Sequence, residues 1–286
     1  MKTTYPILDP HAPKASRAVP PAGTCALAMM IKAPRPGASK TRLSPPLTPL
    51  EAAAISTCFL QDTTANIAQT IIAAGDRQHP AAGIAVYTPV GLESAFAGLL
   101  PMGFCLVAQR GELFGDRLIH ALEDLLALGY GAVCLIDSDS PTLPAESLRL
   151  AVDALARPGD RMVLGPSEDG GYYLIGLKHA HRRLFEDIDW STERVAAQTL
   201  ARAAELGLEV VALPTWYDVD DAATLRMLCD ELLGLSDELA GLEGVRGYGA
   251  PRTREFLSAI LAAEGHGRIW PEADVREPTP PAAILE

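Results

Sequence analysis

From residue 25 onward, short apolar runs alternate with amphipathic segments, which predicts an α/β fold: a three-layer sandwich around a mostly parallel sheet. Two further features agree with it. The apolar runs have strand length and are bounded by turn residues, and polar, charge-bearing clusters follow several of them, where open α/β sheets place their ligands.

Strands are expected at 25–31, 83–88, 104–108, 131–136, 161–165, 172–177 and 208–213. Helices are expected on the spacing of Leu118, Leu122, Leu125 and Leu126, of Leu148, Val152 and Leu155, and of Leu225, Leu228 and Leu232. The runs at 161–165 and 172–177, joined by a Gly-Gly loop, break the alternation and leave room for an antiparallel strand. No repeat of fixed period is visible. Residues 1–22, rich in proline and without apolar periodicity, read as a flexible N-terminal arm, and 23–233 as the main domain. Residues 234–286 read as a Gly-rich linker, a short helix at 252–263 and a flexible C-terminal tail.

Composition bounds the function. The 286 residues carry 24 Lys+Arg against 36 Asp+Glu, a net charge of −12, and 48% are hydrophobic. That balance supports a real core and argues against nucleic acid or anionic membranes as partners, because both are bound mainly through cations. The five cysteines are odd in number and widely spaced, with no C-x-x-C, so neither a disulfide framework nor a structural zinc site is indicated. The run at 25–31 is too short for a membrane span and lacks a cleavage pattern, so a cytoplasmic location is expected. Oligomeric state leaves no trace in the sequence.

The negative charge is uneven. No acidic residue falls between Asp9 and Glu51, whereas Lys14, Arg17, Lys32, Arg35, Lys40 and Arg42 do. The loop after the first strand, Lys32 to Arg42, has the glycine and cations of an anion-binding loop without Walker A spacing, and no helix is expected directly after its lysine. It reads as a phosphate site built on Lys32, Lys40 and Arg42, or as a solvated loop. After the fourth strand, Asp137-Ser-Asp139-Ser-Pro141 places two carboxylates at a strand end, which suits a Mg²⁺ or Mn²⁺ site shared with a nucleotide diphosphate, or an ordinary Asp turn. After the last strand, Asp218-Val-Asp220-Asp221 offers a second carboxylate pair, or a cap for the helix that follows. Asp139 and Asp220 are the paired metal candidates, with Asp218 behind them.

Between these clusters lies Gly165-Pro-Ser-Glu168-Asp169-Gly170-Gly171-Tyr172-Tyr173. Asp169 is the candidate for acceptor activation, and Glu168, Gly170, Gly171 and Tyr172 for acceptor binding. Taken alone, Asp-Gly-Gly is also a hairpin turn. Trp190-Ser191-Thr192-Glu193 reads as a helix start capped by Ser191 or Thr192, with Trp190 facing the acceptor or the core.

Taken in order, Lys32-x-Pro-x-Pro-Gly-x-x-Lys40-Thr-Arg42-Leu, Asp139-Ser-Pro-Thr-Leu143, Gly165-Pro-x-Glu-Asp-Gly-Gly-Tyr-Tyr-Leu-Ile-Gly176, Trp190-Ser-Thr192 and Asp218-Val-Asp220 resemble a bacterial GT-A-type transferase family. It is labelled arsenosugar-biosynthesis glycosyltransferase or selenodomain-associated transferase, and is similar to the molybdenum-cofactor and phospholactate guanylyltransferases. The resemblance spans about residues 25–232. It implies a nucleotide-diphospho-sugar-transferase fold and a divalent-metal nucleotide site, with Lys40 and Arg42 on phosphate and Asp139 and Asp220 on the metal. Asp137 departs from the pattern, where a small residue is usual, and Glu112 stands where Asp is commoner. The function expected is metal-dependent glycosyl transfer from a nucleotide sugar to a small polar acceptor. The alternatives are nucleotidyl transfer from a nucleoside triphosphate with pyrophosphate release, and a non-catalytic nucleotide-binding module.

Overall fold

The computed structural model describes residues 5–13, 19–73, 79–234 and 246–270. Seven strands form one sheet: β1 (Cys25–Lys32), β2 (Ala81–Thr88), β3 (Cys105–Ala108), β4 (Ala132–Ile136), β5 (Arg161–Pro166), β6 (Tyr172–Leu177) and β7 (Glu209–Ala212), in the order β3-β2-β1-β4-β6-β5-β7. Each expected strand is present, with its ends moved by a residue or two. β6 alone runs antiparallel to both of its neighbours, β4 and β5. The sheet is therefore mixed but mostly parallel, and the short Asp169-Gly-Gly link is what turns β5 back into β6.

Helices α1 (Pro49–Ala73), α3 (Ala145–Ala156), α5 (Ala222–Leu233) and α6 (Pro251–Glu264) pack on one face, and α2 (Phe114–Ala127) and α4 (Val195–Glu205) on the other. β1 shows how the sequence serves both layers. Leu27, Met29 and Ile31 pack into the core on the α1 side, and Ala26 and Ala28 into the α2 side, all of them fully or almost fully buried. Because each face of this central strand meets a helix layer, its sequence is apolar throughout rather than alternating. Among the described residues, no helix is long and apolar enough to cross a membrane.

The topology fixes where a ligand can sit. β1 is hydrogen-bonded to β2 on one side and β4 on the other. The chain therefore leaves β1 in one direction, builds β2 and β3, and returns to add β4 on the opposite flank. Between the carboxyl ends of β1 and β4 the loops diverge and leave a crevice.

Two segments outside 23–233 are seated on this frame. Where the sequence suggests a flexible arm, residues 5–8 lie along the edge of β3: Leu8 N donates to Leu106 O (2.8 Å) and Leu106 N to Pro6 O (2.8 Å). The buried Tyr5 hydroxyl donates to Leu100 O (2.6 Å), which fixes the segment's start. The remainder of that arm at 1–4 and 14–18, most of the Gly-rich linker (235–245) and the tail at 271–286 lie outside the described residues. The helix expected at 252–263 is α6, and it docks through the buried Asp62 of α1. That carboxylate accepts from Arg252 N (3.1 Å), Thr253 N (2.8 Å) and Thr253 Oγ1 (2.7 Å), capping α6 from another part of the chain.

Replacing Asp62 by Ala leaves those donors unpaired in the core. Asp62→Ala is expected to lower unfolding free energy by about 2–3 kcal/mol, read from urea denaturation. Undiminished stability would mean that α6 is held by its apolar face alone.

Candidate active site

The crevice is built from the loops after β1, β4 and β7, and one side chain ties them together. The Lys40 ammonium donates to Asp139 Oδ1 (2.7 Å), Asp220 Oδ1 (2.9 Å) and the carbonyl of Val219 (2.7 Å). These three bonds use all three protons of the ammonium. Its side chain is only 7% exposed, and its backbone takes the left-handed conformation (φ 48°) that aims it across the crevice. A single 3-10 turn, Thr41–Leu43, follows Lys40 directly, where no helical start is expected from sequence, and Arg42 at its centre pairs with Asp220. Burial opposes the charge on Lys40, but Asp139 and Asp220 outweigh it and raise its pKa above the usual lysine value. Asp220 shows the reciprocal effect. Burial raises its pKa, while Lys40 and Arg42 outweigh burial and hold it below the ordinary carboxylate range.

The carboxylate loops are braced from behind. Val219 N donates to Asp139 O (2.9 Å), and Asp137 N to Tyr173 O (2.9 Å). Thr142 is the hub of the support: its Oγ1 accepts from Trp216 Nε1 (3.3 Å) and donates to the Tyr217 hydroxyl (3.3 Å), and its carbonyl accepts from Tyr248 N (2.8 Å). Asn66 of α1 donates to Leu143 O (2.7 Å). Asp221, the other candidate for capping, does cap α5, accepting from Ala223 N (2.9 Å) and Thr224 N (3.0 Å), and so leaves Asp220 to face Lys40.

Two cavities meet at Asp139. The first, about 250 Å³, is lined by Lys32, Ser39, Lys40, Arg42, Ser138, Asp139 and Asp220. The second, about 240 Å³, is lined by Asp137, Asp139, Asp169, Gly171, Tyr172, Trp190 and Asp218, with Met30, Phe114 and Leu118 supplying an apolar wall. The expected phosphate residues Lys32, Lys40 and Arg42 therefore share one cavity, and Asp169, Gly171, Tyr172 and Trp190 share the other. Glu168 and Gly170 line neither of these two. Glu168 N donates to Trp216 O (3.0 Å), and Gly170 packs so tightly on the chain at 193 that an added Cβ would lie 2.1 Å from Glu193 O.

The start of α4 differs from expectation. The helix begins at Val195, and neither Ser191 nor Thr192 caps it: Ser191 has a positive φ of 64°, and Thr192 Oγ1 donates back to Asp189 O (2.7 Å). The turn swings Trp190 against the first turn of α2, where its ring meets Phe114 edge-on at 5.1 Å. Sequence reasoning missed Phe114. The signal was available, because Phe114 opens the helix directly after the loop that leaves the carboxyl end of β3. Asp169 is also the turn residue of the β5–β6 hairpin, accepting from Gly171 N (2.8 Å), so the hairpin and site readings both apply to it.

The carboxylates outnumber the local cations. Asp218 is pushed up to about 6 by burial and by Asp169, Asp220 and Asp139, and Asp137 is held well above the ordinary carboxylate range by burial and by Asp139. Asp137 Oδ1 is buried without a hydrogen-bond partner. Crowded carboxylates with an orphaned oxygen suit a hard cation, and Mg²⁺ or Mn²⁺ needs only one or two of them when phosphate oxygens and water complete its shell. Among the described residues, no three Asp, Glu, His or Cys side chains already converge as a ready-made ligand set.

Residues 71–192 match the family described as “Uncharacterized protein conserved in bacteria (DUF2064)”. No curated protein matches the sequence. Among solved structures, a “putative nucleotide-diphospho-sugar transferase” from Desulfovibrio desulfuricans G20 shares 28% identity at a TM-score of 0.69, covering 87% of this chain and 98% of its own. A cytidylyltransferase from Leptospira borgpetersenii is similar at 11% identity and a TM-score of 0.43, covering 85% of this chain and 95% of its own. Rv0371c of Mycobacterium tuberculosis H37Rv, solved with manganese, is similar at 15% and 0.43, covering 72% and 98%. The fold is that of the GT-A and nucleotidyltransferase-like α/β proteins.

Two substitutions test the construction of the site. Lys40→Met removes the ammonium that joins three loops and is expected to cost about 1–3 kcal/mol of unfolding free energy, since the partly solvated aspartates regain water. Gly170→Ala forces a side chain into a φ of +86° and against the Glu193 carbonyl. It is expected to break the bond from Ala196 N to Gly170 O and to speed amide exchange at Ala196 while the sheet amides stay protected.

Proposed function

We propose that the protein is a metal-dependent transferase that takes an activated group from a nucleotide donor and delivers it to a small polar acceptor, most directly a glycosyl group from a nucleotide sugar. One observation carries the reading: Asp139 forms a wall of both cavities, one lined by cations and the other, among the described residues, without any. A donor phosphate on one side and an acceptor on the other would then meet at a single carboxylate. The likeness to the Desulfovibrio protein supports the donor class.

Lys40, Arg42 and Lys32 would bind the donor diphosphate and share the charge that develops on it as it leaves. Binding would require Lys40 to exchange part of its pairing with Asp139 and Asp220 for phosphate oxygens. A Mg²⁺ or Mn²⁺ ion held by Asp139 and Asp220 would supply further charge neutralisation for the leaving group. The acceptor hydroxyl would attack the anomeric carbon. The bond from that carbon to the diphosphate oxygen breaks, its electron pair leaves with the nucleoside diphosphate, and Asp169 takes the hydroxyl proton. The second reading, nucleotidyl transfer, is favoured by the cation-rich loop after β1, which suits a triphosphate. There the acceptor attacks the α-phosphorus and pyrophosphate leaves.

The two readings differ in their product. Incubation with Mn²⁺, panels of nucleotide sugars and nucleoside triphosphates, and a metabolite extract is expected to release nucleoside diphosphate; release of pyrophosphate alone would reject glycosyl transfer. Asp139→Asn is expected to weaken metal-dependent nucleotide binding at least about tenfold by calorimetry, the loss of one charged ligand interaction of about 1.4 kcal/mol or more. Unchanged binding would remove Asp139 from the metal site.

A further inference from the structure

The two cavities differ in charge as well as position. In the acceptor cavity the charged lining is Asp137, Asp139, Asp169 and Asp218, beside the hydroxyl residues Ser167, Ser191 and Thr192, and among the described residues no Lys, Arg or His side chain lines it. Asp169 and Asp218 line this cavity and not the donor one, so an ion held by Asp139 and Asp220 leaves them facing the acceptor. Facing these carboxylates is an aromatic wall. Trp190 meets Phe114 at an interplanar angle of 76°, and Gly115 keeps that packing close, since an added Cβ there would lie 2.9 Å from Trp190 Nε1.

An anion placed here would meet the carboxylates of Asp169 and Asp218 on one wall and an aromatic pair on the other, while Lys40, already bound by Asp139 and Asp220, lines only the other cavity. A cation would gain from both, through Coulomb attraction to Asp169 and Asp218 and through the ring faces. We propose that the acceptor is cationic: a small molecule bearing an ammonium or similarly charged group beside its nucleophilic hydroxyl, seated between the Trp190 wall and Asp169 and Asp218. The inference rests on the donor and acceptor reading above and narrows it. It excludes phosphate- and carboxylate-bearing acceptors, and with them nucleotidyl transfer to a phosphomonoester.

Three probes that differ mainly in charge test it: choline, glycerol and glycerol 3-phosphate, each titrated into the full chain while the Trp190 indole resonance is followed by NMR. Choline is expected to bind at least about tenfold more tightly than glycerol 3-phosphate, with glycerol between them, a difference of about 1.4 kcal/mol or more. Asp169→Asn, which keeps the size and turn geometry of the side chain, is expected to weaken choline several-fold. Trp190→Phe, followed by calorimetry, is expected to weaken choline less than Trp190→Ala does. Glycerol 3-phosphate shifting the Trp190 indole at equal or lower concentration than choline would overturn the proposal, as would no response to choline. A parallel titration with Mn²⁺ and nucleotide keeps the two readings apart. Nucleotide binding without choline binding sinks the cationic acceptor alone, and choline binding without nucleotide binding sinks the donor site alone.

Discussion

The site depends on one ion cluster. Lys40 lies in the loop after β1, Asp139 after β4 and Asp220 after β7, and the ammonium of Lys40 joins all three loops. A lysine buried this deeply is costly unless each proton has an acceptor, and here each does. The cost of leaving it unpaired makes the arrangement specific: the loops settle where three oxygens surround the nitrogen. The left-handed backbone at Lys40 is part of the same bargain, since a β- or α-region residue would aim the side chain elsewhere.

That cluster would be loose without support from behind. The β4 loop is gripped by Asn66 from α1, by Trp216 and Tyr217 from the segment after β7, and by Tyr248 from the segment before α6. Tyr248 is in place because Asp62 caps α6 and draws the C-terminal segment across α1. A helix distant in sequence from the chemistry thus steadies the carboxylate that both cavities share. Long-range bracing of this kind is how a strand-end loop becomes rigid enough to hold a ligand.

Much of the fold was legible because the inner strands β1, β4 and β6 are buried on both faces and stay apolar along their length. The helix α1 was not among the segments that periodicity picks out, since its buried side carries Asp62, Thr63, Thr64, Asn66 and Thr70 among its apolar residues. Those polar residues read as surface until their partners are known, and for Asp62 and Asn66 the partners lie 191 and 77 residues away. The same distance hid the role of Lys40: its charge marked a phosphate loop, but nothing local says that it meets Asp220, 180 residues on. Asp139 and Asp220 were legible because carboxylates at the ends of apolar strands need a reason to be there. The start of α4 was misread because Ser191 and Thr192 have the chemistry of caps, yet tertiary packing of Trp190 commits them to a turn instead.

The average charge of the chain argues against a phosphate ligand, but the charges around Asp139 are not spread as the average is. Among the described residues, the lysines and arginine that line the two cavities all lie on one side of Asp139, where Lys40 and Arg42 pair with Asp139 and Asp220, while the carboxylates on the other side have no such partner lining their cavity. On the proposed reading, that division would let a polyanionic donor and a cationic acceptor be held at once, because each would be attracted to its own cavity and repelled from its neighbour's. The carboxylate at the boundary would feel both: it is paired with Lys40 in this structure, and it would be freed to take another cation if phosphate oxygens claimed that ammonium. A donor that drew Lys40 away would leave Asp139 and Asp220 more negative and strengthen their hold on a cation, so donor and metal would bind best together.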